Sequence, residues 1–166
     1  MRVLIPFASK YGTVAEVAER IAGDLRQEVE TRVVHLRRQP SPAVGEFDVV
    51  LIGGSIYGGR IQREVTRFCE RHRDALLSTQ VGLFLACLYH GSKAEAQLAE
   101  AFPSWLLTHA FGAYHVGGRV NQSRLGFWDR LLVRRISGVR GDFDALRDET
   151  IRQISRDTLR TAGAAR

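Results

Sequence analysis

The sequence predicts an α/β fold, a doubly wound sheet of five parallel strands with helices on both faces, and three observations carry that expectation. Short apolar runs alternate with stretches of helical periodicity along the chain. The connections between them are short, and parallel strands need helical crossovers to be joined. One run, Asp48 to Gly53, is apolar without interruption, the character of a strand buried on both faces.

Taken in order, Arg2-Val3-Leu4-Ile5-Pro6-Phe7-Ala8 is the first strand. It empties through Ser9-Lys10-Tyr11-Gly12-Thr13 into a helix whose apolar positions are Val14, Val17, Ala18, Ile21, Ala22 and Leu25. Thr31 to Leu36 reads as the second strand, followed by a Pro40-Ser41-Pro42 linker that no regular element tolerates in its interior. The third strand, Asp48 to Gly53, ends in Gly53-Gly54-Ser55-Ile56-Tyr57-Gly58-Gly59-Arg60, which reads as a glycine-rich loop. Ile61, Val65, Phe68 and Cys69 mark the next helix, and Val81 to Cys87 the fourth strand. A helix over Lys93 to Leu107, a fifth strand over Ala110 to Val116, a segment from Arg119 to Gly141 and a polar helix over Asp144 to Thr161 complete the chain. The 166 residues fit one domain, large enough to bury about two thirds of the unfolded surface.

The formal net charge is +6, and most of it is local. Arg119, Arg124, Arg130, Arg134, Arg135 and Arg140 face a single acid in the same segment, Asp129. Such a cluster suits either an anionic partner or a solvated arginine face. It carries no nucleic-acid recognition motif, so no nucleic-acid partner is expected. Cys69 and Cys87 stand far apart in apolar contexts, and His35, His72, His90, His109 and His115 show no paired ligand spacing. Neither a metal site nor a disulfide framework is expected, and a reducing, cytoplasmic setting is the simplest reading. No run approaches the roughly 18 apolar residues of a membrane span, nor does the start resemble a secretory signal.

The loops carry the chemistry. A strand that passes through a small polar loop into a helix N-terminus makes a phosphate cradle, because the first helical N–H groups lack partners and the helix dipole favours an anion there. Ser9 and Thr13 offer hydroxyls, and Gly12 lets backbone approach the ligand. The loop lacks G-x-x-x-x-G-K-[ST], and no G-x-G-x-x-G follows the first strand, which leaves a mononucleotide. In the second loop Ile56 and Tyr57 are flanked by glycines, so that an aromatic ring can lie against a planar ligand. The two loops together fit flavin mononucleotide (FMN); an ordinary surface turn with Tyr57 exposed is the plain alternative for the second.

Phe7-Ala8-Ser9-Lys10-Tyr11-Gly12-Thr13-Val14-Ala15-Glu16 and Gly53-Gly54-Ser55-Ile56-Tyr57-Gly58-Gly59-Arg60 resemble the flavodoxin-like family. Together with Gly126-Phe127-Trp128-Asp129-Arg130-Leu131-Leu132 they resemble, more narrowly, the menaquinone-dependent protoporphyrinogen IX dehydrogenase branch. The resemblance implies a flavodoxin fold and noncovalent FMN. It implies phosphate contacts from Ser9, Lys10, Tyr11, Gly12 and Thr13, with Val14 standing where the family usually has a threonine. It places Ser55, Ile56, Tyr57, Gly58 and Gly59 at the flavin, and maps the third flavin loop to Leu88, Tyr89, His90 and Gly91. No catalytic residue is assigned, since the cofactor carries the redox chemistry in such proteins.

On a helical wheel Phe127, Trp128, Leu131, Leu132, Ile136 and Val139 share a broad arc into which Arg135 falls, with Arg130 and Arg134 opposite. This suits a helix with a partly covered apolar face, able to meet a membrane surface or an anionic porphyrinogen, or else an amphipathic helix packed on the core. The implied activity is oxidation of protoporphyrinogen IX, or another anionic small molecule, with a quinone as acceptor. A flavodoxin-type electron carrier and a flavin-free binding module are the competing readings.

Overall fold

Alternate residues of the first strand commit to opposite faces of the sheet, and that division organises the molecule. The structure, a computed structural model, describes residues 1–39, 42–121, 123, 126, 129, 131, 134, 135 and 142–164. Pro40 and Ser41 of the expected linker, and Arg124, Phe127, Trp128, Arg130, Leu132, Ile136, Val139 and Arg140 of the basic segment, lie outside the described residues.

The strands are β1 (Arg2–Phe7), β2 (Glu30–His35), β3 (Val49–Tyr57), β4 (Arg60–Ile61), β5 (Gln80–Ala86), β6 (Gly112–His115), β7 (Arg119–Val120) and β8 (Phe143–Asp144). The helices are α1 (Thr13–Leu25), α2 (Arg63–Arg71), α3 (Arg73–Leu77), α4 (Ser92–Ala101), α5 (Ser104–His109) and α6 (Asp148–Ala164). Five strands form a parallel sheet in the order β2-β1-β3-β5-β6, with Phe7 opposite His35 and Ser55 opposite Ala86 at its functional end. Val3, Ile5 and Phe7 pack with Val17, Ile21 and Leu25 of α1 and Ile151 and Ile154 of α6. Leu4, Val50, Ile52 and Leu83 face Val65 and Phe68 of α2, Leu76 of α3 and Leu106 of α5. Each such fully buried side chain contributes about 1.5–3 kcal/mol. The expected doubly wound, five-stranded parallel sheet is the fold.

Several element boundaries differ from the sequence reading. The segment Gly53 to Arg60 is mostly strand, because β3 runs on to Tyr57 and pairs antiparallel with β4, Ile56 opposite Ile61 and Tyr57 opposite Arg60. Gly53 is there for close packing: a Cβ would come within 2.1 Å of the Phe84 ring. Only Gly58 and Gly59 make the turn, both at positive φ (59° and 79°), as the primed hairpin turns require. Ile61 therefore belongs to the hairpin, and the helix begins at Arg63.

The helix expected over Lys93 to Leu107 is two helices broken at Phe102-Pro103. Proline lacks an N–H and disfavours helical backbone in the residue before it, and Phe102 is extended (φ −114°, ψ 152°). Asp144 is in β8 rather than the last helix, paired with Arg119 of β7. These two short strands close the base of the basic segment.

Candidate functional site at the sheet switch point

The chain leaves β1 toward β2 on one side and reaches β3, β5 and β6 on the other, so strand order reverses between β1 and β3. In open α/β sheets a crevice forms there, outside the carboxyl ends of the strands. A cleft of about 180 Å³ occupies this place. Ser9, Lys10, Tyr11, Gly12 and Thr13 line it from the β1–α1 loop, Ser55, Ile56 and Tyr57 from the end of β3, and Leu88 from beyond β5.

Gly12 caps α1 at φ 94°, a left-handed conformation that any other residue adopts only at a cost of about 1–2 kcal/mol. No side chain caps the helix. The first helical bond of this turn runs from Glu16 N–H to Gly12 C=O at 2.9 Å, so the preceding amides of the first turn have no helical acceptor. The Gly12 N–H donates to Ser9 Oγ at 3.1 Å, which folds the loop over the helix end. An uncapped N-terminus opening on a cleft is a seat for an anion, phosphate above all.

The side chains around this seat brace one another. Lys10 Nζ lies 3.6 Å from the centroid of Tyr57 and 3.1 Å from a carboxylate oxygen of Asp129. Burial pulls the Lys10 ammonium down, but its contacts with Tyr57 and Asp129 prevail and hold it above the ordinary value. The Tyr11 hydroxyl donates to the same carboxylate. Arg119 donates to Glu16 and, at 2.9 Å, to Asp144, tying the base of the basic segment to α1. Ser55 is pinned by Gln62, whose Oε1 accepts from the Ser55 N–H at 2.9 Å while its amide donates to the Ser55 hydroxyl.

The cleft floor is made by Cys87 and Gly118. A Cβ on Gly118 would come within 2.5 Å of the Cys87 carbonyl oxygen, so only glycine fits. The Cys87 sulfur lies 3.1 Å from His115 Nε2. Burial raises the Cys87 thiol and lowers His115, which keeps both groups neutral near pH 7.

All five residues expected at the phosphate meet at one cleft, and Val14, which stands next to them in the cofactor loop, has its side chain fully buried in the α1 face of the core. Gly58 and Gly59 form the hairpin turn outside the cleft, and Tyr89, His90 and Gly91 stand away from its lining. His90 instead meets the ring of Phe143 edge-on at 6.2 Å. Glu16, Ala86, Cys87, Gly118, Arg119, Val120 and Asn121 also line the cleft, none of them expected at the cofactor from the sequence. Gly117-Gly118 was the available signal, a glycine pair directly after an expected strand. Among the described residues no cluster of histidine, cysteine or carboxylate side chains could hold a metal, and no helix is long and apolar enough to cross a membrane.

The sequence model of the flavodoxin domain matches residues 4–145. No curated protein is significantly similar to the chain. Flavodoxin 1 of Bacillus cereus is 18% identical, with 96% of this chain and 98% of that one covered at a TM-score of 0.52. The flavodoxin of Streptococcus pneumoniae TIGR4 is 14% identical, with 97% and 99% covered and a TM-score of 0.59. Rubredoxin oxygen oxidoreductase of Desulfovibrio gigas is 14% identical over 95% of this chain and 37% of its own, at a TM-score of 0.54. At these identities the structural likeness is one of fold.

Proposed function

The chain belongs to the flavodoxin domain family, and from that premise we propose that it is an FMN-dependent electron-transfer flavoprotein whose cofactor sits in the cleft between the β1–α1 loop and the end of β3. The observation that carries this reading is the uncapped α1 N-terminus at Gly12, opening on the switch-point cleft. The residues present fit the phosphate: backbone N–H groups and the Ser9 and Thr13 hydroxyls supply donors, and Lys10 and Arg119 offset Glu16 and Asp129. A cleft of about 180 Å³ is below the roughly 300–1,000 Å³ of complete ligand pockets. It takes the phosphate and its chain, while the ring needs the face of Tyr57 that Lys10 covers. Bound there, FMN supplies one- and two-electron redox chemistry. The protein's own part would be to seat the phosphate on backbone dipoles and to offer an aromatic ring with Tyr57, while burial keeps Cys87 and His115 neutral.

Within this reading the chain is an oxidoreductase that takes hydride equivalents from protoporphyrinogen IX and passes electrons to a quinone. Its loops and its basic segment resemble that branch of the family, and a propionate-bearing substrate matches the arginines. Leu131 in that segment is 53% exposed, and Arg134 and Arg135 are exposed as well, which suits contact with an anionic, partly apolar surface at the cytoplasmic face of a membrane. The test is anaerobic turnover by the FMN-loaded protein with protoporphyrinogen IX and a menaquinone analogue. Reduction of the quinone at the expense of the porphyrinogen is the expected result. Rapid reduction by a flavodoxin reductase with no turnover of porphyrinogen would replace the enzyme with a carrier.

A further inference from the structure

On the other side of the β3–β4 hairpin lies a larger cleft, about 690 Å³, within the size range of small-molecule sites. It runs between α2 and the C-terminal half of α4, and Ile56 is the residue it shares with the cofactor cleft. Arg60 of the hairpin and Arg63 and Arg67 on the first two turns of α2 line it; among the described residues none of the three is in a close ion pair, Glu64 being bonded to Arg37 and feeling Arg67 only at longer range. Glu70, one turn further along α2, and Glu100 of α4 also line it, so the cationic end is the one beside the hairpin. Phe102 and Pro103, at the break between α4 and α5, give an apolar wall. Gln97 of α4 adds an unpaid polar group, for its buried Oε1 has no hydrogen-bond partner. A buried amide oxygen left without a donor is costly, and a ligand N–H or O–H would satisfy it.

We propose that this cleft binds an amphipathic organic anion, its acidic head at Arg60, Arg63 and Arg67 and its apolar body along Phe102 and Pro103. The inference goes beyond the cofactor reading and does not depend on it, because the two clefts share only Ile56. Arginine suits the head group by geometry as well as charge, since its planar fork meets a carboxylate or sulfonate with two parallel bonds. Net charge alone would draw such anions to the basic segment instead. What distinguishes this place is three guanidinium groups, none in a close ion pair among the described residues, lining a cavity with an apolar wall.

The probe is 8-anilinonaphthalene-1-sulfonate, compared with N-phenyl-1-naphthylamine, the same ring body without the sulfonate, titrated by fluorescence into the FMN-loaded full chain. Saturable one-to-one binding of the sulfonate is expected. In the double variant Arg63→Gln with Arg67→Gln its affinity falls about tenfold or more, charge-assisted pairs being the stronger hydrogen bonds. The uncharged analogue changes less than about twofold, and FMN affinity does not move. Arg60→Gln, at the exposed hairpin, weakens the sulfonate in the same direction without touching either helix. Unchanged sulfonate affinity in both variants, equal losses for the two probes, displacement of the sulfonate by excess FMN, or absence of a saturable site in the parent protein would each overturn the proposal.

Discussion

The two sides of the β3–β4 hairpin solve the problem of holding a negative charge in different ways. On the cofactor side the cations are already engaged: Lys10 with Asp129 and Tyr57, Arg119 with Glu16 and Asp144. What remains for an anion is backbone, the uncapped first turn of α1 behind Gly12. On the α2–α4 side the cations are Arg60, Arg63 and Arg67, none of them held in a close ion pair among the described residues, beside a first turn of α2 that Gln62 leaves without a side-chain cap. The difference teaches that selectivity for a phosphate resides in fixed amide geometry, which does not rearrange around other anions as mobile side chains do. The side-chain cations suit a ligand defined by its overall charge and shape.

The largest expected effect comes from removing the backbone cradle. Gly12→Ala forces a Cβ into the left-handed conformation at φ 94° and shifts the first amides of α1. FMN affinity falls more than tenfold, that is by at least about 1.4 kcal/mol, in a titration of FMN fluorescence quenching. Sulfonate-probe binding in the other cleft is unchanged. Loss of both would show that the two sides are not separate.

Tyr57→Ala comes next. It removes the aromatic face at the end of β3 and lowers FMN affinity about three- to tenfold, corresponding to about 0.5–1.5 kcal/mol for an aromatic pair. The same titration checks it, and an affinity equal to that of the parent would place the flavin ring elsewhere.

Asp129→Asn works in the opposite direction. The carboxylate is 20% exposed and engages both Lys10 and Tyr11. Its neutralisation frees Lys10 to leave the Tyr57 face and removes a like charge from beside the phosphate, so FMN binds several-fold more tightly. Weaker binding would mean that the carboxylate orders the loop productively.

The smallest effect concerns pH. Burial holds His115 below its ordinary value of 6.5, despite the acceptor offered by the Cys87 carbonyl. A folded group with a depressed value takes up a proton less readily than the unfolded chain does. Stability is therefore fully present above about pH 6.5 and declines as pH falls through that value. Thermal unfolding at pH 5 is expected about 2 °C or more below that at pH 7.5, and His115→Asn narrows the gap. His35 and His72, lowered chiefly by burial as well, contribute in the same sense.

The parts of this design that are local in sequence were legible there. Val3, Ile5 and Phe7 alternating with Leu4, the helical spacing from Val14 to Leu25, and the polar loop between them give β1, the cradle and α1 directly. Gly53-Gly54 misled, because glycine in a strand answers to what packs across from it. The Phe84 ring, 31 positions on in the numbering, is what Gly53 makes room for. Pro103 was readable in principle and was overridden by the apolar pattern around it. Asp129 and Arg119 were readable only as charge. Their partners Lys10 and Glu16 lie 119 and 103 residues away, brought close by a sheet whose order no local pattern encodes.

The central claim is that the β1–α1 loop and the end of β3 form one FMN site. The most direct measurement is flavin stoichiometry, by absorbance and by identification of the released cofactor after denaturation, on protein saturated with FMN and freed of excess. One FMN per chain in the parent, lost in Gly12→Ala, is the predicted result. A parent chain that retains no FMN, or a Gly12→Ala variant that retains it fully, would contradict the account.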